Sequence, residues 1–257
     1  MTPAHRIRVR VGFVAAVLLL CLVPAETRAQ AWLPARGEGA VAVVFQNMNV
    51  KNHILTTTPV DVGHMDTFAM VADVTYGLTD KVAVDVALPF VTSRYTGTKP
   101  HPTPIDDGNF HSAFADFRLA LRYNLARGGA IITPYVGSII PSHNYEFFAH
   151  AAPGDRLREV QIGTYVATLL QHGLPGVFIQ GRYGYGFTQQ VLDISHNRSM
   201  GDLEVGYFVT PSLRAFGIAN AQYTHGGIDI PVAGLAICPG RFGLRRKLLR
   251  PEFQVSR

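Results

Sequence analysis

Residues 66–91 read DTFAMVADVTYGLTDKVAVDVALPFV, and their alternation decides the fold. Phe68, Met70, Ala72, Val74 and Tyr76 fall on one face of an extended chain, with Thr67, Ala69, Val71, Asp73 and Thr75 on the other. After the turn Gly77-Leu78-Thr79-Asp80-Lys81, Val82, Val84, Val86, Leu88 and Phe90 repeat the apolar face, with Asp85 opposite. Side chains of a strand alternate between faces, so a period of two predicts two strands and a hairpin.

The same alternation recurs along the chain. Ala115, Phe117, Leu119, Leu121 and Tyr123 oppose Asp116, Arg118 and Arg122 in 112–123. Val160, Ile162, Val166 and Leu170 oppose Gln161 and Tyr165 in 160–170. Val177, Ile179, Tyr183, Tyr185 and Phe187 oppose Gln180 and Arg182 in 177–188. Leu203, Val205, Tyr207 and Val209 oppose Asp202 and Glu204 in 201–209, and Leu213, Ala215, Ala219 and Tyr223 oppose Arg214 and Asn220 in 213–224. Segments 38–48 and 130–141 are strand-like with ambiguous faces. Strands of about ten residues match the length of a membrane-crossing β-strand.

Loop lengths alternate too. Short turns fall at 77–81, 125–129, 172–176 and 210–213, and long loops at about 49–65, 92–111, 142–159 and 189–200. A barrel with short periplasmic turns and long external loops has this asymmetry. The expectation is therefore an all-β fold: an antiparallel up-and-down transmembrane β-barrel of about ten strands, its apolar face toward lipid. Strand-end aromatics (Tyr76, Phe90, Tyr123, Tyr207, Tyr223) fit the aromatic girdles of such barrels. A periplasmic barrel with an apolar ligand cavity would show the same alternation.

Of the whole chain 47% is apolar and only 16% charged, which excludes a disordered chain. The net charge of +5 resides in the two ends: residues 1–29 carry +3, 238–257 carry +5, and 30–237 carry −3. With no basic stripe in the body, nucleic acid is not an expected partner. Arg6, Arg8 and Arg10 precede the apolar run Val11–Val23, then Pro24 and Ala29-Gln30-Ala31. This is the pattern of a secretory signal peptide, with cleavage after Ala29 or Ala31. It predicts export, in a Gram-negative-type envelope, to the outer membrane. An uncleaved anchor is the competing reading, although the run is short of the roughly 20 residues that span a bilayer. Of the two cysteines, Cys21 lies in the signal segment, leaving Cys238 alone and no internal disulfide.

The expected organisation is a signal peptide at 1–29, a barrel domain at 30–234 and an atypical basic tail at 235–257. A closed barrel of this kind needs an even strand number, so at least a tenth strand should follow residue 226. The cluster Arg245-Arg246-Lys247 departs from a lipid-facing strand, which suggests a truncation or frame change or, alternatively, a genuine basic tail.

With the apolar face outward, the candidate lumen-lining residues are Asp73, Asp85, Asp116, Arg118, Arg122, Arg182, Asp202, Glu204 and Arg214. Such a balanced set is expected to pair with itself rather than form an ion-selective pore. The strand glycines Gly181, Gly184, Gly186 and Gly206 suggest close backbone approach. Ser142-His143-Asn144 and Ser195-His196-Asn197 raise an outer-membrane lipid hydrolase as a distant reading. Neighbouring residues of a strand point to opposite faces, so neither tripeptide should supply both nucleophile and base, and no catalytic residue is assigned. Asp106-Asp107-Gly108-Asn109 reads as a turn, lacking the spacing of a calcium loop. No histidine pair has metal-ligand spacing, so neither metal nor cofactor is expected.

The stretch Tyr76–Phe90, with its Gly-Leu-Thr-Asp-Lys turn and Leu88-Pro89-Phe90, resembles a hairpin of a family of outer-membrane transporters named for the meta-pathway of phenol degradation. Asp107-Gly108, Phe114–Arg118 and Arg122–Leu125 fit the same resemblance, which loosely covers residues 30–230. The resemblance implies a barrel in contact with outer-membrane lipid that passes small, often hydrophobic molecules, and it supplies no site residues. The expected function is a passive outer-membrane transporter, not an enzyme. Periplasmic binding of an apolar ligand is the alternative. Solute identity and oligomeric state stay open.

Overall fold

The structure is a computed structural model. It describes residues 31–51, 53–55, 58–60, 63–97, 107–126, 128–146, 151–170, 173–210, 213–227 and 248–255. Residues 1–29, expected as a signal peptide, both cysteines, Asp106 and residues 235–247 of the tail lie outside the described residues.

Ten strands form one antiparallel, up-and-down path: β1 (Gly39–Val50), β4 (His64–Thr79), β5 (Val82–Thr96), β7 (Asp116–Tyr123), β8 (Ile131–Pro141), β9 (Glu159–Leu170), β10 (Val177–Thr188), β11 (Arg198–Thr210), β12 (Leu213–Thr224) and β13 (Leu248–Val255). β2 (His53–Leu55) and β3 (Thr58–Val60) make a small separate hairpin, and β6 (His111–Phe114) pairs with β5. The sheet curls into a half-barrel; no pairing of β1 with β13 occurs among the described residues. The all-β, up-and-down antiparallel fold of about ten strands is thus as expected.

Three details differ from the pattern reading. First, the strand expected at 112–123 is divided. Pro89 of β5 has no N–H, and Ala115 opposite it donates its own N–H to the Pro89 carbonyl (2.9 Å) as the break between β6 and β7. Second, the first long loop contains the β2–β3 hairpin. Third, Leu248–Val255, within the basic tail, is the tenth strand: it pairs with β12 from Gln222↔Leu248 to Ala215↔Val255. Pro251 is accommodated there because β13 is an edge strand among the described residues.

Burial decides which face points where. Leu203, Val205 and Tyr207 of β11 are 46–50% exposed, while Glu204 between them is 4% exposed and Gln180 beside it on β10 is 4% exposed. Phe68, Met70, Leu119, Leu121, Val160 and Ile162 are likewise exposed on the convex face. Arg122, Asn124, Thr133 and Glu159 are buried on the concave face. This inverts the arrangement of a water-soluble protein, where large apolar groups are inside and charges outside.

The strand glycines shape the inner wall. Added Cβ atoms at Gly184, Gly186 and Gly206 would lie under 3.0 Å from Tyr135, Glu159 and Phe178 respectively. Those side chains lie flat against neighbouring backbone instead of standing into the interior. Gly181 is open by comparison, its nearest atom 3.8 Å away.

Candidate functional site: the concave wall and the segment across it

The inner face carries a hoop of interlocked charges. Cross-strand pairing sets the rows, since directly opposed residues share a face. On β5, Asp85 accepts hydrogen bonds from Thr75 Oγ1 (2.6 Å) and from Arg122 Nη2 (2.7 Å), with Arg122 Nε 2.5 Å from its second oxygen. The Arg122 guanidinium lies 5.9 Å from the Tyr165 ring centre, and Arg182 lies 6.0 Å from the same ring. Arg182 pairs with Asp202, directly opposite it on β11. The hoop therefore runs from β4 across to β11, with Tyr165 as a cation–π bridge between two ion pairs.

A second group lies beside it. Gln180 Nε2 donates to Glu204 Oε2 (3.4 Å), and Arg214 Nη1 is 3.5 Å from Glu204 Oε1. Arg214 also sits 4.8 Å from the Phe216 ring and 5.9 Å from Phe178. At the long-loop end, Glu159 Oε2 accepts a hydrogen bond from Thr188 Oγ1 (2.9 Å) and lies 2.7 Å from Arg198 Nε as an ion pair.

Six of the nine candidate wall residues thus pair with one another: Asp85 with Arg122, Arg182 with Asp202, and Glu204 with Arg214. Asp73 and Arg118 stand in one row on either side of Ala87 and make no ion pair among the described residues. Asp116 has a different role. Its carboxylate accepts from Tyr145 Oη (2.7 Å) and from the backbone N–H groups of Asp155 (2.9 Å) and Arg156 (3.2 Å), tying down the loop at 142–158. Burial, and then the Asp116 carboxylate, hold the Tyr145 phenol well above the ordinary tyrosine range.

The most specific feature is a segment that pattern reading did not single out. Ala31 and Leu33 are 0% and 4% exposed, lying against the concave face near the short-turn end. Ala31 N donates to Gln180 Oε1 of β10 (2.6 Å), and Thr133 Oγ1 of β8 donates to Ala31 O (2.8 Å). Asn124 Nδ2 donates to the same Thr133 oxygen (3.3 Å). The segment then reaches β4, where a Cβ on Gly77 would lie 2.2 Å from the Ala35 carbonyl oxygen. Only glycine leaves room for that approach. Gly37 N and Gly77 N complete the seam, donating to Gly77 O (2.8 Å) and Glu38 O (2.9 Å). Residues 31–38 therefore bridge the inner wall from β10 to β4. A recess of about 320 Å³ remains beside them, lined by Trp32, Leu33, Asp80, Asn124 and Ile131. Gln180 was legible from its place on the polar face; Thr133 lay on a strand of ambiguous facing, and nothing in the alternation marks Ala31.

The two Ser-His-Asn tripeptides differ from each other. Contrary to the strand argument, Ser142 Oγ lies 2.8 Å from His143 Nδ1, because both residues are at the loop edge of β8 where alternation no longer holds. The Ser142 hydroxyl, however, donates to Phe114 O (2.6 Å), so its proton is directed away from that imidazole. Ser195 and His196 make no hydrogen bond to each other. Asp107 closes a turn as read, accepting from Asn109 N (2.9 Å) and Nδ2 (3.0 Å) and contacting His111 Nε2 (2.6 Å). Among the described residues no group of three His, Cys, Asp or Glu could hold a metal ion.

No family model and no curated protein matches the chain. Among solved structures it is similar to an outer membrane channel from Pseudomonas putida F1. The TM-score is 0.60 at 15% identity, over 79% of this chain and 78% of that one. This likeness shows a shared fold, that of an outer-membrane channel barrel. The phenol meta-pathway family remains a resemblance carried by the Tyr76–Phe90 hairpin.

Proposed function

We propose that this chain is an exported outer-membrane β-barrel that passes small, uncharged and largely hydrophobic solutes passively along its concave wall, without catalysis. The inverted burial carries the reading: a continuous apolar convex face is stable in lipid and would be a large aggregation-prone patch in water. The self-paired hoop supports a neutral solute, because Asp85–Arg122 and Arg182–Asp202 cancel most of the field that would select an ion. Residues 31–38, hydrogen-bonded to Gln180 and Thr133, narrow the route near the short turns. The direction of the Ser142 proton toward Phe114 favours the non-enzymatic reading over the hydrolase.

The test is recovery and transport. The expressed chain should sediment with the outer membrane, require detergent, and migrate differently on gels with and without heating. Reconstituted in liposomes, it should admit a small neutral aromatic faster than a charged analogue of the same size. Release by osmotic shock as a soluble protein would instead favour the periplasmic apolar-ligand binder.

A further inference from the structure

We infer that export processing cuts the chain between Ala29 and Gln30, so that Ala31 is retained as a structural part of the mature wall. This goes beyond the channel reading and requires only that the chain is exported. Two overlapping small-x-small patterns are present, Thr27-Arg28-Ala29 and Ala29-Gln30-Ala31, and residue type alone permits a cut after either alanine.

Ala31 separates them. It is fully buried, and both of its backbone polar groups are used by inner-wall side chains: its N–H by Gln180 (2.6 Å) and its carbonyl by Thr133 (2.8 Å). Thr133 is itself fully buried and Gln180 nearly so. A cut after Ala31 would remove this residue and leave the Gln180 carbonyl oxygen without that donor and the Thr133 hydroxyl without that acceptor, inside the wall. Buried polar groups are rarely left in that state. The reaction is ordinary hydrolysis by the host's signal peptidase. Water adds to the Ala29 carbonyl carbon, the C–N bond to Gln30 breaks, Ala29 leaves as a carboxylate, and both protons of the water pass to the Gln30 nitrogen, which becomes the new N-terminal ammonium.

The experiment expresses the full chain in a Gram-negative host and reads the N-terminal peptide of the membrane-fraction protein by mass spectrometry. This reads Gln30 whether its amine is free or has cyclised. The expected terminus is Gln30; a terminus at Trp32 overturns the assignment. Two variants test it through processing, which precedes folding in the outer membrane. Ala31→Leu should still lose its leader at the same bond, since position 31 lies beyond the cut. Accumulation of its precursor would mean that Ala31 is the residue before the cut. Thr27→Lys should abolish the Gln30 terminus, and unchanged processing would overturn the inference. An uncut wild-type chain in the membrane fraction refutes this site while leaving the channel reading intact. A Gln30-initiated protein without transport does the reverse.

Discussion

Tyr135 rests on Gly184: a Cβ there would lie 2.2 Å from the Tyr135 hydroxyl oxygen, and one at Gly163 would lie 2.6 Å from the same ring. A tyrosine of β8 is thereby laid across two glycines on β9 and β10, and its hydroxyl makes no hydrogen bond among the described residues. Gly184→Ala should displace the ring and cost about 1–3 kcal/mol, as overpacking does. Because the clashing atom is the hydroxyl, adding Tyr135→Phe should recover much of that loss, and Tyr135→Phe alone should be near neutral. Urea unfolding of the refolded barrel in vesicles measures all three; a neutral Gly184→Ala would refute the contact.

Release of residues 31–38 should widen the path. Thr133→Val keeps shape but removes the donor to Ala31, and Gln180→Ala removes the acceptor from the other side. Each should raise single-channel conductance or solute flux, and the double variant should raise it most. Unchanged flux in the double variant would show that the segment does not limit passage.

Arg122 and Asp85 should behave as a coupled pair. Arg122→Met leaves an inward carboxylate without its bidentate partner, at an expected cost of about 1–3 kcal/mol given the part-exposure of Asp85. Asp85→Asn combined with Arg122→Met should cost less than the sum of the single variants. Additive losses in a double-mutant cycle would argue against the pair.

Asp116→Ala should free the loop at 142–158 while sparing the barrel. The variant loses the acceptor for Tyr145 Oη and for the Asp155 and Arg156 amides. Trypsin should then cut after Arg156 or Arg158 well before the wild type is cut, with heat-modifiable migration unchanged.

The turn at Asp107 should be acid-resistant. The Asn109 backbone N–H, then the Asn109 side chain and His111, hold the Asp107 carboxyl well below the usual carboxylate range. A depressed folded pKa stabilises the turn fully above the ordinary value of about 4, and that stability is lost as pH falls through the lowered one. Protection of the Asn109 amide from hydrogen exchange should therefore persist from neutrality to about pH 4 and weaken only in stronger acid. Asp107→Ala should lack it throughout.

The strand pattern was legible because alternation is a local property. Residues 177–188 and 213–224 form strands with those same limits. The apolar face of each clear strand is the more exposed one except at Ala115, which the break between β6 and β7 turns inward, 4% exposed beside Ala69 and Val91. The break at Ala115 was hidden because it depends on which residue lies opposite, and only pairing brings Pro89 there. The charged wall residues were identifiable by parity, but their partners were not. Asp85 and Arg122 are distant in sequence, and Asp116 was claimed by a loop folding back from the far side of β8. Ala31 was invisible for the same reason at larger scale: one alanine carries no signal until the curled sheet places Thr133 and Gln180 around its peptide. Period-two hydrophobicity determined the fold and the outward face. Non-local hydrogen bonding decided which polar groups meet, because those contacts exist only once the strands have curled around a common interior.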